Sequence, residues 1–151
     1  MPTYLFETEV HAQLRAQARK FASVAIAPHA HAWEEAEEFP RELYRDLAGA
    51  SLMGIGYPES VGGGGGDVTH VLVASEELVL AGKSVGTVVG LGSHGIALPP
   101  IVKMGTPQQV DRFVRPTLRG ELIAALAIIG LSRRPNTGYS TPAATGMPMA
   151  L

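Results

Sequence analysis

Five consecutive glycines at positions 62–66 interrupt the chain near its middle and limit what can be built around them. No regular helix or strand is expected through such a run, because glycine loses the most backbone freedom on ordering and brings no side chain to bury. The residues on either side therefore read as the ends of separate elements. Upstream, PRELYRDLAG forms a short amphipathic helix with Pro40 at its first position and Gly49 at its close. Leu43 and Leu47 stand one turn apart and share a face. The apolar run of Leu52, Met53 and Ile55 is broken by Pro58, and Asp67 after the glycines is placed to cap the next helix.

Helical spacing governs most of what surrounds this turn. Thr8 is an N-cap for a helix in which Val10, Leu14, Phe21 and Ala25 form the apolar face and Gln13, Arg15, Gln17, Arg19 and Lys20 take the others. Pro28 ends it, and residues 29–38 carry a second helical segment anchored by Trp33. From Val68 onward, Val71, Leu72, Leu78 and Val79 make a stripe opposite Glu76 and Glu77, with Gly82 at the C-terminus. Thr106, Pro107 and Gln109 give a capping hydroxyl, a proline at the first turn and a capping-box glutamine, ahead of a buried face of Val110, Phe113 and Val114. Residues 85–104 are apolar and glycine-rich, and periodicity leaves helix and strand open. Residues 121–129 read as a strand, although their leucines and alanines also permit a helix.

The bulk properties remove several classes of function. A chain of 151 residues suits one domain. Twelve basic against 14 acidic residues leave no electrostatic footprint for nucleic acid or an anionic membrane surface. Cysteine is absent, so neither disulfides nor thiolate sites are available. The acidic start MPTYLFETEV lacks the basic and apolar regions of a signal peptide, and no stretch of about 20 uninterrupted apolar residues is evident. The expectation is a soluble, cytoplasmic protein.

Several small motifs dissolve on inspection. Gly90, Gly92 and Gly95 spell a dinucleotide fingerprint, but Pro99 and Pro100 interrupt the helix that should follow. Lys83 and Ser84 end like a phosphate loop, whereas Glu77 occupies the place of its first glycine. His29 and His31 lack the further ligands of a metal shell and read as surface residues, and Glu34, Glu35, Glu37 and Glu38 as a solvated face. His94 reads as a core histidine satisfied by a carbonyl.

The ordered set FP, GIGYPE, PPI, GTPQQ and RGELIAALAI resembles the N-terminal helical domain of the flavin-dependent acyl-CoA dehydrogenases, continuing into the first strand of their central β-domain. The resemblance covers residues 8–128 and decides for helix over residues 85–104. It implies an FAD enzyme that oxidises the Cα–Cβ bond of an acyl-CoA: a glutamate takes the α-proton, the flavin takes the β-hydride, and electrons pass to an electron-transferring flavoprotein. It further implies that Val88, Val89 and Gly92 line the acyl pocket and that Leu126, Ile128 and Ile129 pass the flavin. Gly92 at the pocket floor leaves room for a long or bulky acyl group.

After RGELIAALAI the resemblance stops. The family expects Thr-Glu-Pro and a glycine-serine-aspartate turn, where this chain has Ile129, Gly130, Leu131, Ser132 and a proline- and threonine-rich tail. Ile129 carries no hydroxyl for a flavin. A shifted reading frame through Gly130, Leu131, Ser132 and Arg133 can encode Thr-Glu-Pro, so a truncated or frameshifted dehydrogenase gene is expected. The expected fold is mainly α: a helical bundle over residues 1–120, a single trailing strand over 121–129 and an irregular tail over 130–151. With neither catalytic glutamate nor complete flavin site, the chain alone is expected to be inactive and to form homo- or hetero-oligomers. The alternative is a non-catalytic helical module that binds acyl chains or another subunit.

Overall fold

The computed structural model describes residues 4–125 as helices joined by turns and loops. In chain order they are α1 (Glu9–Ala25), α2 (Ala30–Ala36), α3 (Glu42–Gly49), a 3-10 turn (Glu59–Val61), α4 (Val68–Gly82), α5 (Val85–Leu91) and α6 (His94–Met104). A last helical stretch runs from α7 (Pro107–Gln109) through a π-helical segment (Val110–Val114) to α8 (Arg115–Leu118). The mainly α bundle is thus what the residues form. Of the expected trailing strand, residues 121–125 are described and form no strand, and the remainder lies outside the described residues.

The helix starts follow their capping chemistry. Asp67 accepts hydrogen bonds from the amides of Thr69 and His70 and opens α4. At Thr106 the hydroxyl accepts from the Gln109 amide while the Gln109 side chain accepts from the Thr106 amide, the reciprocal box expected there. At Thr8 the reciprocal partner is a histidine: the Thr8 amide donates to His11 Nδ1 at 3.1 Å. Pro40 falls just ahead of the start, since Arg41 is the N-cap of α3, while Leu43 and Leu47 are both 3% exposed as one face.

The buried faces of α1 and α4 differ from the expected stripes. In α1 it is His11, Arg15, Ala18 and Ala22 that are buried, with Val10 exposed and Leu14, Phe21 and Ala25 packed at the margin of the core. In α4 it is Val73, Ala74, Glu77, Leu78 and Gly82, while Val71 and Leu72 are exposed. These two helices form the most extensive helix pair, and small residues line their seam. A methyl group built on Gly82 would lie 3.1 Å from Ile26 Cγ2 and 3.6 Å from Ala22 Cβ, so larger residues at these positions would hold the axes apart.

Charge crosses the same seam. Arg15 Nη1 donates to Glu77 Oε1 at 3.0 Å, and Arg15 Nη2 donates to Glu7 and Glu76, each at 2.7 Å. Arg19 closes on both oxygens of Glu77 at 2.9 Å from the solvent side. These partners hold the Glu77 carboxyl below its ordinary value, Arg19 more than Arg15, against the opposing effect of burial. Glu77, expected on the exposed face, is instead 5% exposed.

Residues 85–104 form two helices, α5 and α6, that break at Gly92 and Ser93. Together the 20 residues are long and apolar enough, by length and composition alone, to cross a membrane, although Thr87, Ser93, His94 and Lys103 interrupt the apolar run. They pack into the bundle through Leu91 and Leu98. Ser84 caps α5 by accepting from the Thr87 amide and donates to Glu34. Gly90 lies against the Phe39 ring, where a Cβ would come within 2.7 Å, so the fingerprint-like glycine serves helix packing. In the last stretch Val114 is fully buried, whereas Phe113 is 39% exposed.

Candidate functional site

The glycine run builds one wall of a groove. Gly64 and Gly56 donate to the carbonyls of Gly54 and Gly65, both at 2.8 Å, and Gly65 donates to Tyr57 at 2.9 Å, so the run folds back along residues 54–57. That pairing fixes the GIGYPE segment as a floor between α4 and the α5–α6 arm. Above it opens a cavity of about 540 Å³, with Leu78 and Val71 from α4, Val88 and Leu91 from α5, and Met53 and Tyr57 from the floor. Its surface is mostly hydrocarbon. The break at Gly92 and Ser93 lets α6 diverge from α5, and Gly92 and Gly95 line the opening without side-chain bulk.

Two polar side chains of the groove are turned to the backbone. Tyr57 donates its hydroxyl to the His94 carbonyl at 3.0 Å, and burial pushes the phenol up to about 12, so it stays protonated. His94 places Nδ1 2.9 Å from the Leu91 carbonyl and Nε2 3.1 Å from that of Met53. A neutral imidazole has one N–H and satisfies one of these at a time. Burial holds the ring's pKa below its ordinary value, against the pull of the two carbonyls, and so favours this neutral form. His94 is therefore the carbonyl-satisfied histidine that its sequence position suggested. Among the described residues no acidic side chain lines the groove, and Lys103 near the end of α6 is its one lysine or arginine.

Of the positions that the resemblance implied for an acyl pocket, Val88 and Gly92 line this groove, while Val89 is 68% exposed and away from it. Leu126, Ile128 and Ile129, implied for the flavin, lie outside the described residues. His29 stacks on Trp33 with ring centroids 5.1 Å apart, and His31 faces Glu35 at an exposed position.

A second cluster had gone unnoticed in the sequence. His11, Asp67 and His70 bring ligand-type atoms within 4.8 Å of one another, and the two imidazoles lie 4.2 Å apart. Its signal was a histidine three residues after each of the N-caps Thr8 and Asp67. Both nitrogens of His11 are engaged, Nδ1 by the Thr8 amide and Nε2 by Thr69 Oγ1 at 2.9 Å. Two helix N-termini also present partial positive charge here, which disfavours a cation. The cluster fastens the starts of α1 and α4 together.

The described residues thus form a helical domain with an apolar groove held between a glycine-braced floor and a broken helix. The model of the acyl-CoA dehydrogenase N-terminal domain matches residues 8–121, and the chain belongs to the acyl-CoA dehydrogenase family. It is 34% identical over 119 residues to benzylmalonyl-CoA dehydrogenase of Aromatoleum aromaticum, covering 79% of this chain and 30% of that protein. It is 33% identical over 125 residues to the mitochondrial long-chain specific acyl-CoA dehydrogenase of Mus musculus, covering 82% and 28% respectively. The structure of a putative acyl-CoA dehydrogenase from Mycobacterium smegmatis superposes with a TM-score of 0.76 at 43% identity, over 80% of this chain and 32% of that one. The chain thus spans about 30% of the length of these relatives.

Proposed function

We propose that this chain is the acyl-binding helical part of an FAD-dependent acyl-CoA dehydrogenase, and that the groove between α4 and the α5–α6 arm receives the acyl chain of an acyl-CoA. The observation that supports it is an apolar groove of about 540 Å³ within the segment that the family's N-terminal domain matches. Burial of hydrocarbon there contributes about 25 cal/mol per Å². Among the described residues the groove offers no carboxylate to remove an α-proton, and Tyr57 and His94 direct their polar atoms at backbone carbonyls. On this reading the base, the FAD and the contact with an electron-transferring flavoprotein belong to protein beyond the described residues. On this reading residues 4–125 bind and orient substrate without oxidising it. The second reading of the same groove is a non-catalytic acyl-binding module.

Titration of the purified chain with an acyl-CoA, with and without FAD, tests the proposal. Saturable binding is expected, with no flavin absorbance retained after gel filtration; a flavin band that bleaches on substrate addition would show that the chain completes the site. A Cβ at Gly95 meets no atom within 4 Å and Gly95 lines the groove, so Gly95→Leu is expected to fill part of it. It is expected to weaken acyl-CoA binding by about tenfold or more, the loss of some 1.4 kcal/mol of contact. Unchanged affinity would place the acyl chain elsewhere.

Val85, Val89, Ile96 and Met104 are all exposed on the α5–α6 arm. We assign these exposed apolar side chains to association with other protein. Sedimentation is expected to show species larger than a monomer at micromolar concentration, and a strictly monomeric boundary would remove the assignment.

A further inference from the structure

We infer that His11 is an acid-released latch: a proton added to its ring opens the first turn of α1 and frees residues 4–8 from the seam between α1 and α4. Hydrogen-bond direction fixes the ring's state. Thr69 Oγ1 gives its only proton to Asp67, so it accepts from His11 Nε2, 2.9 Å away, and that nitrogen bears the imidazole hydrogen. Across the ring the Thr8 amide donates to Nδ1 at 3.1 Å, and a backbone N–H can only donate. One species meets both bonds, the neutral ring with its hydrogen on Nε2. A second proton goes to Nδ1, where N–H then faces N–H. The Thr8 hydroxyl, 3.0 Å from that nitrogen, can turn to accept it, but the Thr8 amide loses its partner and the capping box of α1 is broken.

The neighbouring histidine tolerates a proton. His70 Nδ1 lies 2.8 Å from Asp67 Oδ1, so a charged His70 is paired with a carboxylate, and the Asp67 amide, 3.3 Å from the same nitrogen, is at an exposed position where water can replace it. The two rings are 4.2 Å apart, and once both are charged their repulsion favours separation. The other charged and titratable groups around His11 are Asp67 from α4 and, toward its own side, Tyr4, Glu7 and Arg15, the last paired with Glu7, Glu76 and Glu77. Phe6 meets the His11 ring edge-on at 5.7 Å and Tyr4 stacks on Phe6 at 5.1 Å, so the segment ahead of α1 rests on the latch.

Amide hydrogen exchange of the full chain by NMR, corrected for the intrinsic effect of pH, tests this at about pH 7.5 and about pH 5.5, a window in which free histidine titrates and free carboxylates do not. The Ala12 amide, which donates to the Thr8 carbonyl at 3.1 Å, is expected to lose about fivefold or more of its protection at the lower pH, the size of effect that a lost N-cap brings. His11→Gln keeps a capping acceptor that does not titrate, so its Ala12 protection is expected to stay constant, while His70→Gln keeps the loss. Nitrogen shifts of the His11 ring give an independent reading, with Nδ1 expected as the bare nitrogen at the higher pH. Constant protection in the unmodified chain overturns the inference, as does a loss that survives His11→Gln or vanishes in His70→Gln, or a neutral ring with its hydrogen on Nδ1. Should His11→Gln leave Ala12 open at both values, the ring shifts of the unmodified chain decide alone.

Discussion

Arg15→Met lowers the stability of this domain by about 3–5 kcal/mol, a large share of the total for a domain of this size. The arginine is placed at the centre of the α1–α4 seam, its side chain 9% exposed, and it donates to Glu7, Glu76 and Glu77. Methionine fills much of the space, but it leaves Glu77 inside the seam with only the partly exposed Arg19 as a counter-charge. A buried carboxylate left with one solvent-side counter-charge is what makes the change costly, so Arg15→Met with Glu77→Gln is expected to regain a substantial part of the loss. Arg19→Ala, whose side chain is 63% exposed, is expected to cost little. Urea denaturation of the single and double variants reads all three. A loss below about 1 kcal/mol for Arg15→Met would show that the network is solvated and contributes no more than a surface pair.

The same network sets a pH dependence. Because the folded state holds the Glu77 carboxyl below its ordinary value, its contribution is complete above the unfolded pKa of about 4.3. It is lost as the pH falls through the depressed folded value. Acid unfolding in that window is expected for the unmodified chain and is expected to be blunted most when both arginines are replaced, Arg15→Met with Arg19→Ala, since Arg19 is the larger cause of the depression.

These features explain how far the sequence could be read. Helix ends were legible because capping is local: Thr8, Asp67 and Thr106 each act within three residues, and the chemistry of the cap names the start of the helix. Buried faces were less so. A stripe of large apolar residues in α1 and α4 suggested the core side, but the seam is set by the close approach of Ala18, Ala22 and Gly82 and by Arg15 meeting carboxylates more than 60 positions away. No periodicity carries that information, since it depends on which helix arrives opposite. The break between α5 and α6 was hidden for a related reason. Gly92 and Ser93 stop the helix, whereas Pro99 and Pro100, the stronger breakers by residue type, lie inside α6. Val88 and Gly92 came to the groove through resemblance to a family; the groove itself depends on the α5–α6 break and the folded-back glycines.

Gly63→Ala is the second change expected to have a large effect, and it separates the glycines that the groove floor requires from those it tolerates. A Cβ at Gly63 would lie 2.2 Å from the Tyr57 carbonyl oxygen and 2.5 Å from the Tyr57 carbonyl carbon. Both are backbone atoms, so no side-chain rotation relieves the contact, and the strand-like return of the run along residues 54–57 must open. Gly63 donates to Pro58 at 3.0 Å, and the neighbouring Gly64 and Gly65 bonds hold the floor, so displacement at one position loosens several bonds at once. The expected loss is about 3 kcal/mol, at the upper end for overpacking. At Gly64 the nearest atom to a new Cβ is the Gly54 oxygen at 3.7 Å, an ordinary contact, and Gly64→Ala is expected to stay within about 0.5 kcal/mol. Acyl-CoA binding should follow stability in this pair, because Tyr57 and Pro58 line the groove directly. Equal melting temperatures for the two variants would mean that the run is a loose connector, and that the groove floor is held by the packing of Met53 and Leu52 on α3 and α4 instead.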